Sequence, residues 1–136
     1  MTGHAPIVLL VSANRRVRQL IAVRLGQIGC TALIAATYEE AFEYSGLTPL
    51  DVLIIDLSRR EAFEGTLIRA LRVKRRHLKV IYLTGRVTPV VKSRVEGMAA
   101  DFYLRKPFHL DELCDIVSPG AGARVPLVTF TGLSLN

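Results

Sequence analysis

The sequence has no tryptophan and only two cysteines and three histidines among 136 residues. Cys30 and Cys114 stand far apart with no Cys-x-x-Cys spacing, and His4, His77 and His109 are equally scattered. A structural metal needs clustered ligands, so none is expected, and both cysteines read as packing residues rather than as a disulfide. Long apolar runs are missing too. The core-like runs, Ile7–Val11 and 52–55, fall far short of the roughly 20 residues that cross a membrane. No basic region followed by an apolar stretch opens the chain, so no secretory leader is expected. The chain therefore reads as cytoplasmic, with no membrane partner. No G-x-G-x-x-G or P-loop glycine pattern follows any apolar run, which argues against a nucleotide- or flavin-binding protein.

What is present suits one globular domain. Half the residues are hydrophobic and the mean hydropathy is +0.32, enough to build a core at this length. The net charge of +6 has one source. Arg69, Arg72, Lys74, Arg75, Arg76 and Lys79 crowd an eleven-residue stretch without an acid, while the other twelve basic residues balance the twelve acidic ones. Such a segment either neutralises a helix end or meets nucleic acid or an acidic partner. No separate helix-turn-helix domain fits in the 19 residues after Val117, so direct nucleic-acid binding is not expected.

Apolar runs alternate with amphipathic stretches. Ile7–Val11, the weaker 31–36, 51–57, Lys79–Thr84 and 102–104 read as strands. Val17, Leu20, Ile21, Leu25 and Ile28 recur at helical spacing before Gly29. Thr37 and Glu40 form a capping-box pattern that opens a short second helix. A third helix presents Phe63, Leu67, Ala70 and Leu71, a fourth covers 90–98, and a short fifth covers Leu110–Val117. Five strands alternating with five helices predict a three-layer α/β sandwich around a five-stranded parallel sheet. The domain is expected over 1–118. The Gly-rich stretch that follows makes 119–136 a flexible or partner-binding tail.

Ligand sites in such sheets lie beyond the carboxyl ends of the strands. Ser12, Ala13, Asn14, Asp56, Ser58, Thr84, Lys106 and Pro107 fall there. Asp56, Thr84 and Lys106 are 28 and 22 residues apart, each about one strand–helix–strand unit. A carboxylate, a hydroxyl and an ammonium at three strand ends suit phosphoryl transfer to the carboxylate. Asp56 can attack phosphorus in line, and the other two can donate to the phosphoryl oxygens.

These segments resemble the receiver domain of bacterial two-component response regulators, over about residues 7–117. The matching stretches are Asp51-Val-Leu-Ile-Ile-Asp56, Val80-Ile-Tyr-Leu-Thr84 and Ala100-Asp-Phe-Tyr-Leu-Arg-Lys-Pro-Phe108. The resemblance implies a flavodoxin-like sheet in the order 2-1-3-4-5. It makes Asp56 the phosphoacceptor, Thr84 the hydroxyl that follows the phosphoryl group, Lys106 the neutralising cation and Tyr103 the aromatic switch. It also implies a partner surface over 90–117, with Tyr103 and Arg105 near its centre, and a histidine kinase or downstream regulator as partner.

The departure lies after the first strand. The family places two acidic residues there to hold Mg²⁺, and here Ser12-Ala13-Asn14 follows Val11. Asp56 and the Ser58 carbonyl remain as metal ligands, while Arg15 and Arg16 add positive charge beside them. The expectation is a pseudo-receiver, not an enzyme, that works by protein–protein contact. It should need no cofactor and bind Mg²⁺ weakly, with Asp56 paired to Lys106 at rest. The competing reading is a working phosphoacceptor at Asp56, served by a histidine kinase and an unusual metal arrangement. The apolar residues of the tail, Val125, Leu127, Val128 and Phe130, can fold back on the domain or pair with a second copy, and the Gly-rich linker favours a homodimer.

Overall fold

Strands that are apolar at every position need cover on both faces, and the amphipathic segments between them supply it. In a computed structural model, described here for residues 5–46, 49–56, 64–85 and 100–119, this is the arrangement found. The chain runs β1 (Ile7–Val11), α1 (Arg15–Gln27), β2 (Thr31–Ala35), α2 (Tyr38–Ser45) and β3 (Val52–Asp56). It continues through α3 (Glu64–Lys74), β4 (Lys79–Thr84), β5 (Phe102–Arg105) and α4 (Leu110–Val117). All strand pairs are parallel and the sheet order is β2-β1-β3-β4-β5, as expected.

The period-two alternation of side chains divides the core into two. On one face Val8, Leu10, Val52, Ile54, Ile81 and Leu83 meet Val17, Ile21 and Leu25 of α1 and Leu113, Cys114 and Val117 of α4. On the other, Leu9, Val11, Leu53, Ile55, Val80 and Tyr82 meet Ala41 of α2 and Leu67, Ile68 and Leu71 of α3. Each such side chain contributes about 1.5–3 kcal/mol on burial, before ordering costs. The weak second strand is an edge, with Ile34 exposed.

Local signals act where the sequence places them. Asn14 Oδ1 accepts from the Val17 amide and caps α1. Thr37 Oγ1 accepts from the Glu40 amide, and Glu40 reaches back to the Ala36 amide. Gly29 ends α1 with φ +88, a left-handed conformation that favours glycine.

Some boundaries and one face differ from expectation. The second strand stops at Ala35, and the fifth runs on to Arg105. Ala70 is exposed, and Ile68 takes its place beside Leu67 and Leu71. On a helix Ala70 sits roughly 100° from the centre of that stripe, whereas Ile68 lies within it. Leu57, Ser58, Phe63, the expected helix over 90–98 and the tail beyond Pro119 lie outside the described residues.

Candidate functional site

Parallel register brings the strand ends together. Asp56, the last residue of β3, pairs with Leu83, and Thr84, the last of β4, pairs with Arg105. The Lys106 amide then donates to the Thr84 carbonyl at 2.6 Å. Three residues distant in sequence therefore share one end of the sheet. Asp56 and Thr84 are buried.

Asp56 holds a partner on each oxygen. Lys106 Nζ donates to Oδ1 at 2.7 Å, and Ser12 Oγ donates to Oδ2 at 2.8 Å. The Asp56 side chain has no solvent exposure and the Lys106 side chain only 7 %. A buried carboxylate must be paired and hydrogen-bonded, and here both requirements are met within one cluster. Ser12 is itself fixed. Its Oγ accepts from the Asn14 amide at 3.1 Å, its amide donates to the Ala35 carbonyl, and Arg18 Nη1 donates to its carbonyl at 2.7 Å. The loop that joins β1 to α1 is thereby aimed at Asp56.

Sequence reasoning valued Ser12 only as a poor metal ligand. The structure makes it a hydrogen-bond donor to Asp56, a role that its position at a strand end beside β3 could have suggested. Asn14 caps α1 and also anchors Ser12. Arg15 and Arg16 are exposed. Tyr103 and Arg105 lie on β5, and Arg105 is exposed. Ser58 lies outside the described residues, as does 90–99 of the expected partner face. Among the described residues, no group of three or more His, Cys, Asp or Glu side chains is placed to hold a metal ion.

A second buried charge was missed. Arg24 is 1 % exposed and reaches from α1 to Asp111 in the first turn of α4, where the two side chains form an ion pair. The available signal was a cation at the apolar spacing of α1, three residues after Ile21 and one before Leu25. Near it, burial pushes the Cys114 thiol up to about 11, partly offset by Arg24. Cys30 is raised by burial as well, and both thiols are free.

The strand order, the convergence of Asp56, Thr84 and Lys106, and the paired carboxylate are the geometry against which known proteins can be set. The family model for the response regulator receiver domain matches residues 8–118. The chain belongs to that family. Receivers are signalling modules of two-component systems, not enzymes, and they communicate with histidine kinases or downstream effectors. The cell cycle response regulator CtrA of Brucella abortus is 28 % identical over 106 residues, covering 78 % of this chain and 46 % of that protein. The chain thus spans about half the length of the curated relatives it matches. The response regulator TrrA of Thermotoga maritima, solved in complex with Mg²⁺ and BeF, is 27 % identical with a TM-score of 0.67. That likeness covers 82 % of this receiver and 96 % of TrrA. The chemotaxis protein CheY4 of Vibrio cholerae has the same fold, with a TM-score of 0.72 at 24 % identity over 85 % of this chain and 97 % of its own. Among the described residues, no helix of this receiver is long and apolar enough to cross a membrane.

Proposed function

We propose that this receiver is a pseudo-receiver that signals by protein–protein contact, with Asp56 at the phosphoacceptor position and little Mg²⁺-dependent phosphorylation. The observation that carries this reading is the occupancy of Asp56. Ser12 and Lys106 each give a proton donor to one of its oxygens. An Mg²⁺ ion takes near-octahedral oxygen ligands, commonly carboxylates and phosphate oxygens. Here the loop after β1 has no carboxylate, and the Ser12 hydroxyl directs its proton, not a lone pair, at Asp56. The described residues do not fit the ion, and the ammonium of Lys106 already neutralises Asp56. Without the metal, charge on a transferring phosphoryl group is poorly offset.

In this reading Thr84 and Lys106 keep their positions at the strand ends, and Tyr103 and Arg105 belong to the surface that a kinase or effector would contact. The test is Mg²⁺ titration of the protein followed by acetyl phosphate, read by intact-mass spectrometry. Little or no gain of a phosphoryl group at Asp56 is expected. Rapid stoichiometric labelling would overturn the reading in favour of a working phosphoacceptor.

A further inference from the structure

The basic stretch 69–79 is left unexplained by the phosphoacceptor end of the sheet. Lys79 opens β4 and Phe102 opens β5, whereas Asp56 and Thr84 end their strands. The two regions are about a strand's length apart, roughly 17–20 Å. The C-termini of α3 and α4 lie at the same end as Lys79. Part of the positive charge serves them. Arg75 Nη1 donates to the Leu71 carbonyl in the last turn of α3 and Lys79 Nζ to the Ile116 carbonyl of α4 at 2.6 Å, while Arg72 Nη2 donates to the Leu78 carbonyl in the loop before β4. Carbonyls left over at helix ends need such donors, and cations near a helix C-terminus are stabilising.

That role does not use all the cations. Lys74 and Arg76 are exposed and hold no ion pair among the described residues. Arg72, Arg76, His77, Leu78, Lys79, Asp101 and Phe102 line a hollow of about 450 Å³. Among the described residues that line it are three cations and one carboxylate. That carboxylate is engaged, because Asp101 Oδ2 accepts from Arg72 at 2.9 Å and from the Val80 amide at 2.7 Å. Phe102 is 42 % exposed and lies under the Lys79 ammonium, 5.9 Å from ring centroid to Nζ. The hollow thus joins an apolar platform to surplus positive charge, on a wall whose Arg72 already binds a carboxylate.

We propose that this hollow docks an acidic peptide segment of a partner protein, seating an apolar side chain on Phe102 and a flanking carboxylate on Arg76, in the field of the exposed Lys74 two residues before it. Arginine's planar fork suits carboxylates. A single-stranded nucleic acid fits less well. Such ligands use a continuous basic track and several stacking platforms, whereas this wall has one exposed aromatic ring and a carboxylate.

The test uses the whole chain and fluorescence anisotropy at physiological salt. The probes are a labelled oligoglutamate peptide with a central leucine and a labelled oligothymidylate of equal charge. Binding of the peptide in preference to the oligothymidylate is expected. Lys74→Glu with Arg76→Glu should weaken it about tenfold or more. Phe102→Ala should weaken it less. Arg15→Glu with Arg16→Glu, which changes the net charge equally at the opposite end, should leave it within about twofold. Circular dichroism and the urea midpoint check that each variant is folded, and the charge variants decide the matter if Phe102→Ala is not. Failure of the peptide to bind, equal losses in both charge-reversed variants, or tighter binding of the oligothymidylate would each overturn the proposal. None of these outcomes bears on phosphorylation at Asp56.

Discussion

Ser12 Oγ lies 2.8 Å from Asp56 Oδ2 and donates to it, across 44 residues of sequence. In the proposed pseudo-receiver reading Ser12 stands where the resemblance places an acid, and it acts on the same carboxylate that such an acid would approach with like charge. In this buried site a hydroxyl in place of a carboxylate would turn a repulsion that a cation must relieve into an attraction.

Replacing that hydroxyl should reveal its energy. Ser12→Ala leaves Asp56 Oδ2 without its donor and is expected to cost about 1–3 kcal/mol in urea unfolding. Ser12→Asp with Ala13→Asp should be destabilised further in EDTA, because like charges would meet beside a buried carboxylate. Millimolar Mg²⁺ should then raise the melting temperature of this double variant and leave that of the parent unchanged, since a ligand stabilises only the state that binds it. An equal response of both proteins to Mg²⁺ would contradict the metal argument.

The Arg24–Asp111 pair ties α1 to α4 over the core. Asp111→Ala removes one partner of the buried Arg24 guanidinium and should cost about 1–3 kcal/mol, less than for a fully buried pair because the Asp111 side chain is 25 % exposed. Adding Arg24→Met to that variant should recover part of the loss, because no buried charge then remains at this position. Urea midpoints of the two variants decide this, and a further loss in the double variant would count against it.

The thiols supply a pH dependence. Burial raises Cys114 from 9.0 to about 11, so the unfolded chain releases this proton first as pH rises. The stabilising contribution is fully present below pH 9 and is lost between pH 9 and 11, by about 2–3 kcal/mol in all. Cys114→Ala should give a shallower decline of stability over that window. Iodoacetamide at neutral pH should label Cys30 and Cys114 much more slowly in the folded protein than in urea.

α4 has only eight residues. Val125, Leu127, Val128 and Phe130 lie in the sequence beyond it, and they carry the expectation of a homodimer. Deleting 119–136 is expected to lower the sedimentation coefficient toward that of a monomer. An unchanged coefficient together with unchanged stability would make the tail a bystander.

The residues themselves determined the layered fold. Runs such as 52–55, short, apolar at every position and bounded by carboxylates, read as strands buried on both faces, and the four-residue spacing of Val17, Ile21 and Leu25 reads as one helical stripe. The positions of Asp56, Thr84 and Lys106 were legible for the same reason: the first two end recognisable strands, Lys106 follows one directly, and parallel strands of similar length carry their ends to one edge. The tertiary structure alone decided what those ends do to one another. Whether Ser12 is a spare ligand or a donor depends on the angle of a loop, set by bonds from Ala35, Asn14 and Arg18 that reach across the chain. Arg24 was hidden because the helical period marks where a side chain points, while its tolerance of burial depends on a carboxylate 87 residues away. The basic stretch divides in the same manner. Composition shows a surplus of charge, but only the folded chain separates the cations that bond carbonyls from Lys74 and Arg76, which stay exposed.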